Sequence, residues 1–132
     1  WGIPLGRRFR ALKLWFLLKS EGAENLRQRL RRDVENAKWL EQQVCSTPNW
    51  KLVAPVKLQT VCVRYEVPDM SEEEVDKWTL EWVSCINNSG AAYLTPAKLK
   101  GRWMVRVSIG SLLTEREDVE ALWQLVREEA EK

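Results

Sequence analysis

The first helix that the sequence predicts has apolar residues around almost its whole circumference. Pro4 and Gly6 favour an extended or turned start, and the run after them, Arg7 to Lys19, has neither proline nor glycine. We therefore expect a helix from about Arg8 to Lys19. Its apolar residues are Phe9, Leu12, Leu14, Trp15, Phe16, Leu17 and Leu18. One core buries only one stripe of a helix, so this helix is expected to lie between two packed bodies, one of them outside this chain.

The rest of the chain predicts a mixture of helices and strands. A second helix of about 22 residues follows a break at Glu21-Gly22, because Leu26, Leu30, Val34, Ala37 and Val44 have the spacing of one helical face. Alternating residues predict two strands within 51–65, and Pro55 favours an edge position for the first. Ser71 to Glu74 and Thr114 to Glu117 read as capping boxes that begin two further helices. The first of these ends near Gly90, and its apolar positions are Val75, Trp78, Trp82, Cys85 and Ile86. A strand pair, Ala91 to Lys98 and Trp103 to Ile109, lies between the two helices around Lys100-Gly101, with Val105 and Val107 on one face of the second strand and Arg106 on the other. The predicted fold class is α+β, a small antiparallel sheet of about four strands covered on one face by helices.

The opening residues resemble a known family. The run from Trp1 to Arg10, with Trp15 and Phe16, is similar to the segment that opens the C-terminal domain of pyridoxal-phosphate-dependent group II decarboxylases. The branch with aromatic-L-amino-acid decarboxylase is the most similar. The similarity continues through Asn25-Leu26-Arg27, Val53 to Tyr65, Ile86-Asn87, Tyr93-Leu94-Thr95-Pro96, Leu99-Lys100-Gly101-Arg102 and Val105-Arg106-Val107 to the last helix.

The resemblance implies both a fold and an activity. Residues 1–132 would be one domain, the C-terminal small domain of a fold-type I enzyme, with residues 1–22 forming the junction to a large domain that precedes Trp1. The intact enzyme would be a homodimer that converts an aromatic amino acid to an arylalkylamine and carbon dioxide. The large domain would hold the cofactor, pyridoxal phosphate, and this chain alone would be inactive.

The same resemblance places one edge of the substrate pocket at Leu5 and Gly6. The position that matches Gly6 is Gly or Ser in the family, and Gly there accompanies larger substrates such as indole or catechol amino acids. The alternative is that Gly6 only permits the turn into the helix. Arg7, Arg8 and Arg10 could bind carboxylates of the substrate or of the large domain, and we favour interdomain ion pairs.

Catalytic and cofactor-binding residues are not expected in this chain. It has no histidine, so the family's histidine-lysine motif and its ring-stacking histidine are missing. The six glycines are scattered and form no phosphate-binding loop. Arg106 could bind a substrate carboxylate, but a tight clamp would stabilise the carboxylate that must leave, which favours a structural pairing.

The cysteines and the distribution of charge limit which other functions are expected. Cys45, Cys62 and Cys85 form no CxxC pair, so we expect no metal site but buried thiols in a reduced, cytoplasmic protein. Residues 1–32 carry a net charge of +7 and residues 33–132 carry −5. The basic end could be a nucleic-acid or membrane patch; we favour a solvated helix face with ion pairs, and expect no nucleic-acid or membrane partner.

Two other functions remain open at this point. One is a non-catalytic binding or regulatory module with the same fold, and the other is a basic adaptor for acidic partners. A free-standing module would leave the apolar first helix exposed and would aggregate, whereas a decarboxylase domain would be accompanied by the rest of its enzyme.

Overall fold

The structure is a computed structural model that describes residues 9–132, except for the side chain of Arg10. Its helices are α1 (Arg10–Ser46), α2 (Glu72–Ser89) and α3 (Arg116–Ala130). Its strands are β1 (Trp50–Leu52), β2 (Thr60–Tyr65), β3 (Thr95–Leu99) and β4 (Arg102–Ser108). The chain divides into two compact units, Trp1–Arg32 and Asp33–Lys132.

The described part of the first unit is the N-terminal portion of α1. Gly22 interrupts its helical geometry with φ 77° and ψ 152°. Residues with a side chain rarely adopt this conformation, so the break depends on glycine. The predicted break at Glu21-Gly22 is confirmed. Leu30, which the apolar spacing assigned to a buried face, is 53% exposed.

The second unit contains a four-stranded sheet in the order β1-β2-β4-β3, with every neighbouring pair antiparallel. The predicted α+β fold is confirmed. β1 lies at an edge, as predicted, but it is only three residues long and ends before Pro55. β3 begins at Thr95, later than the predicted start near Ala91.

Helices cover one face of this sheet. Val61 and Val63 of β2 and Val105 and Val107 of β4 belong to one buried cluster with residues from all three helices. The helix residues of this cluster are Ala37, Leu40, Val44, Trp82, Val83, Ile86, Val119, Trp123, Val126 and Ala130. The apolar side chains of a strand that point to one side can be buried in this way because successive side chains alternate between the two faces.

Tryptophan side chains pack in this core and also hold the end of α3. The Trp50 ring centroid lies 6.0 Å from that of Trp82 and 4.9 Å from that of Trp123. The indole of Trp78 donates to the carbonyl oxygen of Ala130 at 2.9 Å, and that of Trp50 donates to Glu131 at 3.3 Å. These contacts make Trp50, Trp82 and Trp123 packing residues of the core.

The start of α2 agrees with the prediction, and the capping box of α3 lies one residue later than predicted. Ser71 caps α2 in a reciprocal box with Glu74, and Gly90 ends this helix with φ 76°. The box that begins α3 joins Glu115 and Asp118, where the sequence predicted Thr114 and Glu117. Both frames offer a carboxylate three residues on, so the pattern alone could not fix the register.

The cysteines correct another expectation, that their thiols are buried. Cys45 and Cys85 are exposed, Cys62 is half-buried, and all three are free thiols. Cys85 lies at the edge of the apolar stripe of α2, beside the buried Ile86 but outside the core.

Candidate functional site

The residues predicted to border a substrate pocket or to form interdomain ion pairs lie outside the described part of the chain. These are Leu5, Gly6, Arg7 and Arg8, together with the side chain of Arg10. The candidate site is therefore built from the described surfaces nearest to them in sequence and from the surfaces that the fold leaves uncovered.

The first of these is the N-terminal apolar surface, which comprises Phe9, Leu12, Leu14, Trp15, Phe16, Leu17 and Leu18. These side chains are between 38% and 72% exposed. Trp15 and Phe16 contact each other edge to face, with ring centroids 5.1 Å apart, and the Lys19 amine lies 6.0 Å from the Trp15 ring. Exposed apolar side chains in this number are typical of an interaction site.

The second is the outer sheet face, which is the face opposite the helices. It carries Thr60, Cys62 and Arg64 of β2, Thr95 and Ala97 of β3, and Met104, Arg106 and Ser108 of β4. Arg106 is opposite Cys62 on one side and Thr95 on the other. Arg106, Ser108 and Thr95 are exposed, so no described helix covers this part of the face.

The surroundings of one thiol on this face shift its pKa. Burial raises the pKa of the Cys62 thiol, and the positive charge of Arg106 opposes this rise. Arg64 is engaged elsewhere, since its Nε donates to the carbonyl oxygen of Trp103 at 2.9 Å. Arg106 is therefore the side chain that gives the centre of the face its positive charge.

A third feature is the loop that connects α2 to β3. The Asn87 amide donates to the carbonyl oxygen of Leu94 at 2.9 Å and accepts from the Leu94 amide at 2.7 Å. Leu94 is buried in the core, while its neighbour Tyr93 is 84% exposed. Local sequence patterns do not indicate a structural role for Asn87, because its partner lies across a loop.

Four grooves within residues 33–132 do not fit pyridoxal phosphate. The cofactor needs a lysine for the Schiff base, an acid for the ring nitrogen and donors for the phosphate. Lys132 is the one lysine that lines these four grooves. Its Nζ is paired with Glu129, and that groove has no phosphate-binding loop. No catalytic step is assigned to the described residues.

Residues 9–132 also lack two other kinds of functional feature. They contain no cluster of three or more potential metal ligands among His, Cys, Asp and Glu. None of the helices there combines the length and the hydropathy needed to cross a lipid bilayer.

Comparison with known proteins identifies the family. Residues 1–66, half of the chain, match the pyridoxal-dependent decarboxylase conserved domain. The chain belongs to the pyridoxal-dependent decarboxylase family. The resemblance seen in the opening residues is thus confirmed, and enzymes of this family use pyridoxal phosphate.

Relatives within the decarboxylase family match the whole chain. A tryptophan decarboxylase of Camptotheca acuminata is 38% identical over 99% of the chain, which covers 26% of that protein. A phenylacetaldehyde synthase of Arabidopsis thaliana is 37% identical over 98% of the chain, which again covers 26% of the relative. The chain thus spans about a quarter of the length of these curated relatives.

A solved structure shows the same fold. The tryptophan decarboxylase of Catharanthus roseus, in complex with L-tryptophan, superposes with a TM-score of 0.84 and 36% identity over 99% of this chain. The match covers 27% of that protein. The α+β unit described above is therefore a recurring part of pyridoxal-dependent decarboxylases.

Proposed function

We propose that this chain is the C-terminal small domain of a decarboxylase that converts an aromatic L-amino acid to an arylalkylamine and carbon dioxide. The observation that carries this proposal is the similarity of the whole chain, at 36–38% identity, to tryptophan decarboxylases. The family is pyridoxal-dependent, and this chain covers about a quarter of the length of its curated relatives. The part of the enzyme that holds pyridoxal phosphate is then the remaining three quarters.

The N-terminal apolar surface supports the proposal that a large domain packs against this chain. Leu14 and Phe16 are each 57% exposed in the described chain, and Phe9 is 72% exposed. Burying one such side chain contributes roughly 1.5–3 kcal/mol. A large domain packed on this surface would bury several of them at once, which explains why a helix with apolar residues on most sides is compatible with a soluble enzyme.

Residues near the start of the chain are assigned by the family resemblance. Leu5 and Gly6 border the substrate side-chain pocket, and Arg7, Arg8 and Arg10 form ion pairs with the large domain. The assembly is a homodimer in the cytoplasm, and its substrate is an aromatic amino acid. The cytoplasmic location rests on the pattern of the three cysteines, and the other assignments rest on the resemblance of the opening residues.

A Gly6→Ser variant of the intact enzyme tests the pocket assignment. The added hydroxymethyl group is expected to lower kcat/KM for tryptophan and DOPA more than for tyrosine, because it takes room from the larger rings. A Gly110→Ala variant is the control, since its added Cβ meets only Gln59 at an ordinary 3.5 Å. Unchanged substrate preference in Gly6→Ser would remove Gly6 from the pocket.

An aldehyde-forming reaction is the second candidate. It is favoured by one observation, the 37% identity to a phenylacetaldehyde synthase over nearly the whole chain. Chromatography of the products from phenylalanine separates the two candidates, because the amine and the aldehyde are different compounds. An arylalkylamine as the main product supports the decarboxylase, and an arylacetaldehyde supports the synthase.

A further inference from the structure

A groove of about 600 Å³ lies where the α2–β3 loop, the end of β4 and α3 meet. Three of its lining residues, Val107, Ile109 and Val119, belong to the core and are at most 5% exposed. Leu122 and Leu125 of α3 also line it and are half-buried. A concave site of this volume with a mainly apolar lining has the dimensions of a small-molecule pocket.

Asp118 is the one charged residue among the described residues that line this groove. Its Oδ2 accepts from the Glu115 backbone amide at 2.9 Å, as part of the cap of α3. Its Oδ1 has no hydrogen bond or ion pair to any described residue. Asp118 is exposed, so a ligand can reach Oδ1 without taking the carboxylate out of water. The groove therefore combines an apolar interior with one available anionic acceptor.

The surroundings of Asp118 are also negative. Glu115 and Glu117 lie in the same turn, and these carboxylates offset the partial positive charge at the start of α3. The neighbouring cation, Arg116, is engaged elsewhere: its guanidinium lies 5.1 Å from the Trp39 ring and donates to the Glu35 carbonyl oxygen at 3.4 Å. The described lining thus offers a cation, and not an anion, a partner of opposite charge.

An aromatic ring borders the groove on the other side. Tyr93 lines it and is 84% exposed. The two hydrogen bonds between the Asn87 amide and the Leu94 backbone fix the loop that carries Tyr93. Aromatic faces attract cations and pack against other rings, so Tyr93 adds a second group suited to an aromatic cation.

We propose that this groove binds an arylalkylammonium ion, the class of compound that the proposed function produces. The ring of the ligand lies among Ile109, Leu122 and Leu125, and its ammonium group donates to Asp118 Oδ1 near the Tyr93 ring. This inference rests on the proposed function for the source of the ligand. The product amine of the enzyme is then also a ligand of its C-terminal domain.

The charge of the lining distinguishes this amine from related compounds. An aromatic amino acid carries a carboxylate in addition, which Asp118 repels and which meets no cation among the described lining residues. A neutral aromatic alcohol fills the apolar part of the groove but makes only a neutral hydrogen bond to the carboxylate, which is weaker than one from an ammonium group. Tryptamine should therefore bind more tightly than indole-3-ethanol, and tryptophan should bind most weakly.

An NMR titration of the 132-residue chain with these three compounds tests the site. Saturable shifts with tryptamine are expected at residues 91–93, 107–109 and 118–125, with tryptophan binding about tenfold more weakly or worse. The absence of saturable shifts would overturn the proposal. So would shifts confined to the N-terminal apolar surface, or equal affinity for tryptamine and tryptophan.

Asp118→Asn tests the role of the carboxylate. Asparagine keeps an oxygen that can accept from the Glu115 amide, but it removes the charge. The affinity for tryptamine should fall about fivefold or more, and that for indole-3-ethanol should change little. Glu117→Gln is the control, because Glu117 is the adjacent acid and does not line the groove. Equal losses in the two variants would reject Asp118 as the partner of the ammonium group. If Asp118→Asn does not fold, the three-compound titration still decides.

The full-length polypeptide allows a test by stoichiometry. Ala121 is exposed and lines the groove, so the indole of an Ala121→Trp variant should fill it. Glu120→Trp is the control, since Glu120 is the preceding exposed residue and does not line this groove. Equilibrium dialysis should find one bound tryptamine fewer per chain in Ala121→Trp than in the control. Equal numbers would contradict the proposal.

The failure of this inference can be told apart from the failure of the proposed function. Release of an arylalkylamine by the full-length protein, without tryptamine binding in the groove, would reject the site and leave the function standing. Binding of tryptamine in the groove, without decarboxylation of any aromatic amino acid, would support the site and reject the function as the source of its ligand.

Discussion

Arg102 and Asp76 connect the β3–β4 hairpin to α2. Arg102 Nε lies 3.1 Å from Asp76 Oδ1, and the same carboxylate oxygen accepts from the Trp103 backbone amide at 3.1 Å. Both side chains are about one-fifth exposed, and Arg102 also donates to the carbonyl oxygen of Glu72. Burial, which acts in the opposite direction, is outweighed by the hydrogen bonds and charges of Asp76 and Glu72, so the pKa of Arg102 is raised.

Removal of the Asp76 carboxylate should destabilise the domain. Asp76→Ala leaves the Arg102 guanidinium and the Trp103 amide without this acceptor, and the expected loss is about 1–3 kcal/mol in the free energy of unfolding. Urea denaturation of the purified chain measures it. Glu81→Ala is the control, because Glu81 and Lys77 are exposed and 3.7 Å apart. An equally large loss in the control would show that removing any acidic side chain of α2 destabilises the domain, and that the contact with Arg102 is not the cause.

The Asn87 amide should hold the α2–β3 loop. Asn87→Ala removes both hydrogen bonds to the Leu94 backbone and leaves two polar groups of a buried residue unpaired, at a cost of about 1–3 kcal/mol. Asn88→Ala is a matched control next in sequence, because Asn88 is exposed and bonds only to Ser84. Hydrogen exchange of the Leu94 amide should quicken in the first variant and stay unchanged in the second.

The cap of α2 should make stability depend on pH. Hydrogen bonds from the Ser71 hydroxyl and backbone lower the pKa of Glu74. A carboxylate whose pKa is lowered by folding stabilises the protein above its unfolded-state pKa, and this contribution is lost as pH falls through the folded-state pKa. Ser71→Ala should lower Tm by a few degrees at pH 7. The difference should shrink in the acidic range where Glu74 is protonated, and a constant difference down to pH 2 would contradict this account.

The N-terminal apolar surface should determine how the isolated chain associates. Because Leu14 and Phe16 are already exposed, replacing both with glutamine should not reduce the free energy of unfolding, yet it should increase the monomeric fraction in analytical ultracentrifugation. Leu58→Gln is the control, since Leu58 is 66% exposed but lies outside this surface. If Leu58→Gln has the same effect, general surface hydropathy and not this helix causes association.

Local signals in the sequence predicted much of the fold. Ser71 and Gly90 bound α2 as expected, because their chemistry acts within a few residues. Gly22 marked the break in α1 for the same reason. The alternation of Val105 and Val107 with Arg106 correctly assigned the two faces of β4.

The features that sequence reasoning missed depend on contacts between distant residues. The pairing of Asn87 with Leu94 crosses a loop, and the Arg102–Asp76 contact joins residues 26 apart in sequence. Cys85 and Leu30 have the right spacing for a buried face, but which face is buried depends on how the elements pack. The predicted site at Leu5 and Gly6 was found only through the family resemblance, since no pattern of charge or spacing there indicates a pocket.

The most direct test of the proposed function compares the 132-residue chain with the full-length polypeptide. Pyridoxal phosphate binding is followed by absorbance, and carbon dioxide release is measured with tryptophan, DOPA, tyrosine and phenylalanine. The account predicts cofactor binding and release of carbon dioxide by the full-length protein, and neither by the 132-residue chain. Turnover by the chain alone, or a cofactor-loaded full-length protein that decarboxylates none of these amino acids, would contradict it.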